Sequence, residues 1–232
     1  MTRHVVIAID GPAASGKSST AIRVAQRLGF RHVDSGALYR AATAAYLRES
    51  GERDVSNWPE AEVLRTARNR VRLEPSERSF VPHVGGAAAD EEIRGPEVTK
   101  RVSAVASMPG VRAWVNEQVR AMAATHSVVV DGRDIGSTVL PGADLKIFLV
   151  ADPWERARRR LLQSLKREPT APDIAEETDR LVHRDASDAQ QSGQATDAVV
   201  LDTTHLTQAE QVDRIVALAN VVTQRTDDTS RS

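Results

Sequence analysis

Short apolar runs alternate along the chain with longer segments in which apolar residues recur every three or four positions. Runs of Val and Ile that end in a carboxylate, such as Val5–Asp10 and Ser127–Asp131, are typical of strands covered on both faces. The longer segments predict amphipathic helices, the first of which spans about Lys17–Leu28, with Gly29 suited to end it. This alternation predicts an α/β fold in which helices cover both sides of a parallel sheet.

We predict five strands for this sheet. They are Val5–Asp10, Arg31–Asp34, Ser127–Asp131, Leu145–Val150 and Ala198–Asp202. The further helices are predicted at about 37–49, 96–106, 109–124, from 153, at 174–189 and from 207 onward. A capping box of Thr207 and Glu210 marks the start of the last helix.

The pattern changes over about Val55–Gly95. A helix with Pro59 in its first turn is followed by two short apolar runs, Val71–Leu73 and Phe80–Val81, which a turn-forming segment separates. This stretch predicts a small α+β insertion that lies outside the central sheet.

Composition narrows the class of protein. A chain of 232 residues with 41% hydrophobic and 27% charged residues suits a single α/β domain with an insertion. The net charge of −1 gives no reason to expect a surface for nucleic acid or acidic membranes. The absence of cysteine excludes disulfides, thiol catalysis and cysteine metal sites. No segment approaches the ~18 apolar residues of a membrane span, so we expect a soluble, cytoplasmic protein.

The loop between the first strand and the first helix carries the strongest chemical signal. Gly11 to Ser18 fits G-x-x-x-x-G-K-[ST]. In this motif main-chain N–H groups and the helix N-terminus bind phosphate oxygens, Lys17 approaches the β- and γ-phosphates, and Ser18 can ligate Mg²⁺. A glycine-rich turn without function is the alternative, but strand, loop and helix follow in the required order. The loop therefore predicts a triphosphate site.

A second motif follows the second strand. Ser35, Tyr39 and Arg40 lie at the sheet edge where open α/β folds bind ligands. Ser35 alone is also a good helix N-cap, and Tyr39 and Arg40 are equally compatible with a partly buried phenol and a solvated charge. An arginine one turn into a helix near a phosphate-binding loop is nevertheless well placed to bind a second phosphate.

A third motif begins where the apolar strand ends in Asp131. A P-loop protein needs a carboxylate there, near Mg²⁺ or its water shell. Asp-Gly is also common turn chemistry, but a turn does not require the following Arg133 and Asp134. An arginine can bridge phosphates, and a carboxylate can accept hydrogen bonds from an exocyclic amine.

The fourth motif is a basic run in the helix from 153. Arg156 and Arg160 share a face, with Arg159 one turn from Arg156. Charge runs are usually solvated helix faces, but arginines that close over a transferring phosphoryl group can accelerate its transfer by orders of magnitude.

With these motifs together, the chain resembles the bacterial cytidylate kinases, nucleoside monophosphate kinases of the P-loop NTPase superfamily. The resemblance spans nearly the whole length. It rests on GPAASGKSS, DSGALYRAA, EEIRGPEVTKRVSAVASMPGVR, VVVDGRDIGSTVLPGADLKIFL, ERARRRLLQ and HRDASD. DSGALYR together with DGRDIG is far more specific than the P-loop, which alone indicates only a nucleoside triphosphate site.

The resemblance implies a three-layer P-loop fold with a five-stranded parallel sheet, a LID segment and an enlarged α+β insertion in the part that binds the nucleoside monophosphate (NMP). It implies one kinase domain over 1–232 and a monomer. The implied divisions are a core at about 1–36, 96–155 and 190–225, an NMP-binding region at about 37–95 and a LID at about 156–189.

The resemblance also implies ATP-dependent phosphorylation of CMP and dCMP, with Mg²⁺, by direct in-line transfer. The implied ATP-binding residues are Gly11, Pro12, Ala13, Ala14, Ser15, Gly16, Lys17, Ser18 and Ser19. The implied CMP-binding residues are Ser35, Tyr39, Arg40, Arg112, Arg133, Asp134, Arg184 and Asp188. The implied catalytic residues are Lys17, Arg133, Arg156, Arg160 and Arg184. Mg²⁺ is expected at Ser18 and, through water, at Asp131.

The chain departs from the family pattern at two places. Gln191 stands where the family has an arginine, and the connection after it is short. Ala14 stands where glycine is frequent, which should matter little if its φ is negative. The first departure leaves open a divergent paralogue that phosphorylates a modified cytidylate or another small metabolite, and a nucleotide-binding regulatory protein is a further alternative.

Overall fold

A parallel sheet lies at the centre of the fold. The structure is a computed structural model that describes residues 4–165, 167–189 and 192–229. Its strands are β1 (Val6–Asp10), β2 (Arg31–Asp34), β3 (Val71–Pro75), β4 (Phe80–Val84), β5 (Ala87–Ala88), β6 (Val128–Gly132), β7 (Leu145–Val150) and β8 (Val199–Asp202). Its helices are α1 (Lys17–Leu28), α2 (Ser35–Ser50), α3 (Glu60–Arg70), α4 (Asp90–Arg94), α5 (Pro96–Ala106), α6 (Pro109–Thr125), α7 (Pro153–Ser164), α8 (Ala171–Asp188) and α9 (Gln208–Thr229).

The central sheet has the strand order β2-β6-β1-β7-β8 within the described residues, and each neighbouring pair is parallel. The five-stranded parallel sheet predicted from the sequence is therefore confirmed. β1 pairs with β6 on one side, Ile9 opposite Asp131, and with β7 on the other. Ligands of open parallel sheets bind beyond the carboxyl ends of the strands, where the strand order reverses. We therefore expect a ligand site at the carboxyl ends of β1, β2 and β6.

The two faces of the sheet build separate parts of the core. Ile7 and Ile9 of β1 are fully buried and pack with Val24 of α1 and Ile215 of α9. Ala8, between them, faces the other way and packs in the cluster that contains Leu38 of α2. Side chains of a strand alternate between the two faces of a sheet, so a strand covered on both faces must be apolar throughout. This explains why β1 and β6 lack polar residues before Asp10 and Asp131.

A second, antiparallel sheet lies in the predicted insertion, with the order β3-β4-β5. The two predicted strands are present here and longer than expected, and β5 was not predicted from the sequence. Gly85 and Gly86, both with positive φ, form the turn before β5, and such a two-residue glycine turn is typical of a hairpin. The turn at 76–79 contacts the central sheet, since His32 N–H donates to Arg78 O at 2.9 Å.

Helix α8 begins at Ala171 and not at about Ile174 as predicted. The Thr170 hydroxyl accepts from Asp173 N–H, and the Asp173 carboxylate accepts from Thr170 N–H, which together form a capping box. This reciprocal pair satisfies two N–H groups at the helix start. No helix in the described ranges combines the length and apolarity that a membrane span requires.

Asp10 ends β1 and is only 3% exposed. Its two carboxylate oxygens accept hydrogen bonds from the backbone N–H groups of Ile135 and Gly136, each at 2.8 Å. Burial raises the pKa of Asp10 to about 6, although the two N–H groups act in the opposite direction. Asp10 thereby holds the single turn of π-helix at Ile135–Val139 against the end of β1.

We expect the stability that Asp10 contributes to depend on pH. Its folded-state pKa of about 6 lies above the usual 3.8, so the contribution is full below pH ~4 and is lost as the pH rises to ~6. Two pKa units correspond to at most about 3 kcal/mol. Urea unfolding of the protein and of Asp10→Asn from about pH 4 to pH 7 measures this. The wild-type free energy of unfolding should fall relative to that of the variant; a constant difference would contradict the prediction.

Candidate functional site

A cavity of about 270 Å³ lies beyond the carboxyl ends of β1, β2 and β6. The predicted site residues that line it are Ala13, Ala14, Lys17, Ser18, Ser35, Tyr39, Arg40, Arg112, Asp131, Arg133, Asp134, Arg184 and Asp188. An adjoining open groove shares Lys17, Ser18, Arg40 and Arg184 with the cavity, and Gly16, Ser19 and Arg160 also line it. Gly11, Pro12, Ser15 and Arg156 line neither. Residues from six distant parts of the chain therefore meet at one place.

The P-loop packs closely against β7. A Cβ at Gly11 would lie 2.4 Å from the backbone oxygen of Leu149, and the φ of Gly11 is +153°. Only glycine fits this approach, which explains the first glycine of the motif. Lys17 Nζ donates to Pro12 O at 2.9 Å. Burial lowers the pKa of Lys17 to about 7, and the nearby Arg133 also acts to lower it.

We expected that alanine in place of glycine at position 14 should matter little if its φ is negative, but the φ is positive. Its φ is +57°, which makes it the only residue other than glycine with a positive φ among those described. The left-handed conformation costs an L-residue roughly 1–2 kcal/mol, because Cβ crowds the following carbonyl oxygen. The presence of alanine where glycine is frequent therefore stores strain in the P-loop.

Ser18 and Asp131 lie side by side at the bottom of the cavity. Ser18 Oγ donates to Asp131 Oδ2 at 2.5 Å, and His32 Nε2 lies 2.6 Å from Asp131 Oδ1. Burial opposes charge on both members of the His32–Asp131 pair. Their hydrogen bond and mutual attraction nevertheless leave the pKa of His32 raised and the pKa of Asp131 lowered. Both effects favour an ionised pair and keep Asp131 a carboxylate.

Asp34, and not Ser35, caps helix α2. The Asp34 side chain accepts from Ala37 N–H at 3.0 Å, so the Ser35 hydroxyl is available for another partner and donates to Asp131 O at 2.8 Å. The alternative explanation of Ser35 as a helix cap is therefore wrong. The longer aspartate side chain at the strand end already satisfies the first turn of the helix.

The far end of the cavity carries an ion pair. Arg112 Nη2 lies 2.5 Å from Asp134 Oδ2, and the Arg112 guanidinium lies 5.9 Å from the centre of the Tyr39 ring. Burial raises the pKa of Asp134, although Arg112 acts against it. Burial also raises the pKa of Tyr39 to about 12, so Tyr39 is a neutral phenol. A hydrogen-bonding ion pair and an aromatic face therefore lie together.

Arginines converge on Asp188 from two directions. Arg133 Nη2 donates to Asp188 at 2.7 Å and its Nη1 to Gly11 O at 3.0 Å. Arg184 Nε lies 3.8 Å from the same carboxylate, and this buried Nε has no hydrogen-bond partner within the described part of the chain. Burial and the charge of Arg133 lower the pKa of Arg184. The site thus holds more cationic donors than it satisfies, which suits a polyanionic ligand.

Arg156 is not an open lid charge over the phosphate cleft, contrary to the expectation for the LID. It is 4% exposed, its Nη1 donates to Ala13 O at 2.7 Å and to Asp185 at 2.6 Å, and it lines neither the cavity nor the groove. Arg156 and Arg160 do lie one turn apart on α7, as predicted. The first turn of α7 packs against α8, however, and this packing turns the Arg156 side chain inward. Arg160 lines the groove as expected and pairs with Glu177 at 2.9 Å.

The cytidylate kinase family model matches residues 7–221. This chain belongs to the cytidylate kinase family. The cytidylate kinase of Desulfitobacterium hafniense is 44% identical over 225 residues, which cover 95% of this chain and 94% of that protein. The cytidylate kinase of Lactiplantibacillus plantarum is 38% identical over 229 residues, 96% of each chain. A solved shikimate kinase from Bacteroides thetaiotaomicron is 15% identical, covers 93% of this chain and 98% of its own, and has a TM-score of 0.46.

The resemblance stated from the motifs is therefore confirmed, and the protein is a nucleoside monophosphate kinase, a class of transferase. Some cavity residues of this cytidylate kinase family member were missed in the sequence. Arg94, Ser103 and Asn116 line the cavity, and Arg94 pairs with Asp34 at 3.0 Å. Arg94 and Ser103 lie in the stretch EEIRGPEVTKRVSAVASMPGVR, on which the resemblance partly rests. That resemblance was the signal in the sequence that could have identified them as site residues. Gln191 lies outside the described residues.

Proposed function

We propose that this protein transfers the γ-phosphoryl group of ATP to CMP or dCMP. The observation that carries the proposal is a shared cavity with the P-loop at one end and the Arg112–Asp134 pair at the other. Lys17, Arg133 and Arg184 line the same cavity. Two nucleotides bound end to end there would bring their phosphates together among these cations.

The P-loop end takes the triphosphate. Main-chain N–H groups of Ala14–Ser19 and the N-terminus of α1 bind its β- and γ-oxygens. Partly buried Lys17 has a pKa of about 7 without a phosphate beside it. A phosphate at hydrogen-bond distance would raise that pKa, because opposite charge favours the protonated form. Lys17 is therefore an ammonium in the complex and exchanges Pro12 O for a phosphate oxygen.

The residues between the two ends fit a magnesium ion. Ser18 Oγ and the Asp131 carboxylate are oxygen ligands 2.5 Å apart, and Mg²⁺ typically uses one or two protein oxygens with phosphates and water. We assign direct ligation to Ser18 and contact through water to Asp131, whose other oxygen His32 holds. When bound, Mg²⁺ neutralises charge on the β- and γ-oxygens.

The Arg112–Asp134 end takes the cytosine. Asp134 accepts a hydrogen bond from the exocyclic amine, Ser35 meets the same edge of the base, and Arg112 holds the pyrimidine beside Tyr39. A site that pairs with a polar group rejects an analogue without that group, because its own polar groups would remain unpaired. We therefore expect discrimination against UMP, which carries a carbonyl where CMP carries an amine.

The arginines take the acceptor phosphate and sugar. Arg40 and Tyr39 bind the CMP phosphate region, and Arg133 lies between the two phosphate groups. Asp188 accepts a hydrogen bond from a ribose hydroxyl. The Nε of Arg184, which has no hydrogen-bond partner among the described residues, donates to the transferred phosphoryl group. These assignments give the buried donor beside Asp188 an anionic partner.

The reaction is a direct displacement. An oxygen of the CMP phosphate attacks the γ-phosphorus of ATP in line, the bond from that phosphorus to the β–γ bridging oxygen breaks, and ADP leaves. Lys17, Arg133, Arg184 and Arg160 stabilise the charge spread over the γ-oxygens. No covalent enzyme intermediate forms, so the residues act by position and charge.

Closure of the cleft completes the site. We assign the LID to about 156–189, the NMP-binding region to about 37–95 and the core to the remaining parts, within one domain that functions as a cytoplasmic monomer. Arg160, paired with Glu177 in this structure, exchanges that partner for phosphate when the LID closes. Closure excludes water, which would otherwise hydrolyse the γ-phosphate.

Coupled-assay turnover across CMP, dCMP, UMP, AMP and GMP tests the proposal. We expect CMP and dCMP to be preferred. Failure on all five would overturn it in favour of a modified cytidylate or another small metabolite. ATP hydrolysis unaffected by any acceptor would instead indicate a regulatory nucleotide-binding protein.

A further inference from the structure

Two side chains from α7 and α8 hold both polar groups of Ala13 in the P-loop. Ala13 N–H donates to Asp185 Oδ1 at 2.9 Å. Arg156 Nη1 donates to Ala13 O at 2.7 Å and to Asp185 Oδ2 at 2.6 Å. The backbone unit, the guanidinium and the carboxylate thus form a closed ring of three hydrogen bonds.

The Ala13 backbone and the donor of its carbonyl are buried: Ala13 is 3% and Arg156 4% exposed, whereas the Asp185 side chain is 24% exposed. Ala13 packs with Ala157, Ile174 and Leu181 in a small apolar cluster between α7 and α8, and Ala14 packs against it. A buried carbonyl that loses its donor has no water to replace it and is left unsatisfied. The orientation of the Ala13 carbonyl therefore depends on Arg156.

The carbonyl orientation decides where the next N–H points. In a planar trans peptide, C=O and N–H point in opposite directions. Because Ala13 O faces Arg156, which lines neither the cavity nor the groove, the N–H of Ala14 points away from Arg156. Ala14 lines both the cavity and the groove, and its N–H has no acceptor within the described part of the chain.

Ala14 adopts an unfavourable conformation in this arrangement. Its φ of +57° lies in the left-handed region, which an L-residue avoids unless its surroundings impose it. Glycine adopts that φ without penalty. The bond from Arg156 to Ala13 O is the contact that holds the adjoining peptide in place. Removal of this bond allows the peptide to rotate and the strain to relax.

We propose that Arg156, braced by Asp185, is a positioning residue: it holds the Ala13–Ala14 peptide so that the Ala14 N–H faces the phosphates of ATP. The assignment rests on the proposed ATP site for its ligand. It gives Arg156 a role in ATP binding without contact to the nucleotide. It also makes the wild-type chain, with alanine at position 14, depend on Arg156 more strongly than the A14G variant does.

Calorimetric titration with Mg-ATP in the absence of CMP tests this with the variants R156M, A14G and R156M/A14G. We expect R156M to weaken ATP binding about ten-fold or more, which is the scale of the left-handed penalty. A14G alone should change the affinity less than about three-fold. The double variant should recover most of the loss, because glycine keeps the left-handed φ accessible without the brace. R158M is the matched control on α7, since Arg158 is 45% exposed, and should bind ATP as the wild type does.

Two outcomes would overturn the proposal. If R156M lowers the ATP affinity by the same factor in the wild-type and A14G backgrounds, Arg156 serves only the packing of α7 on α8. If R156M does not change the ATP affinity at all, Arg156 has no role in ATP binding. D185N provides the same comparison if R156M fails to fold, because asparagine keeps an acceptor for Ala13 N–H while the charge that braces Arg156 is lost. Wild-type protein that binds ATP but phosphorylates no cytidylate would refute the proposed function and leave this test intact.

Discussion

Asp134→Ala is expected to raise the KM for CMP about 100-fold, while ATP affinity changes less than about two-fold. The carboxylate is the proposed acceptor for the exocyclic amine, and a hydrogen bond to a charged group contributes about 1.5–3 kcal/mol. Its loss also leaves Arg112, now 2.5 Å from Asp134, without its partner. Initial-rate kinetics with varied CMP, and ATP titration by calorimetry, give the two quantities.

A comparison of CMP with UMP as acceptor distinguishes loss of base recognition by Asp134 from loss of the Arg112–Asp134 ion pair. UMP has no exocyclic amine, so Asp134→Ala should reduce the preference for CMP over UMP as well as the affinity. Asp213→Ala is a control that removes an exposed aspartate–arginine pair, with Arg27 at 3.2 Å, and should change neither parameter. An unaltered KM for CMP, or an unaltered CMP-to-UMP ratio, would contradict the role of Asp134.

Lys17→Met should lower kcat by at least about 10²-fold with both substrates saturating. Methionine keeps much of the length of the side chain but removes the cation that neutralises developing charge on the γ-phosphoryl group, and loss of one such donor typically costs about 10²–10³-fold. Single-turnover phosphoryl transfer measures the chemical step directly.

Two variants control the Lys17 prediction. Lys100→Met removes an exposed lysine, 3.7 Å from Glu97, and should leave kcat unchanged. Lys17→Arg should remain impaired, since a planar guanidinium does not replace a compact ammonium in a closed loop. A kcat for Lys17→Met within about ten-fold of wild type would show that this cation does not act in the transition state.

Local features of the sequence predicted much of the fold and the P-loop. Uninterrupted apolar runs ending in Asp10 and Asp131 predicted doubly covered strands, because this property depends on the strand itself. Gly11 and Lys17 were identified because the motif requires them at fixed spacing. Local features did not determine every helix start: Asp34 and Ser35 are both good caps, and only the geometry of the strand end decides between them.

The sequence by itself determined the alternation of strands and helices, the triphosphate loop and the family, because each depends on short-range patterns or on motifs matched in order. Only the tertiary structure decided that His32 contacts Asp131 and that Arg156 binds the Ala13 carbonyl of the P-loop. It also decided that Ala14 is held at positive φ. The two side-chain contacts join residues about 100 or more positions apart. No local pattern contains such pairs; the packing of helices on the sheet creates them.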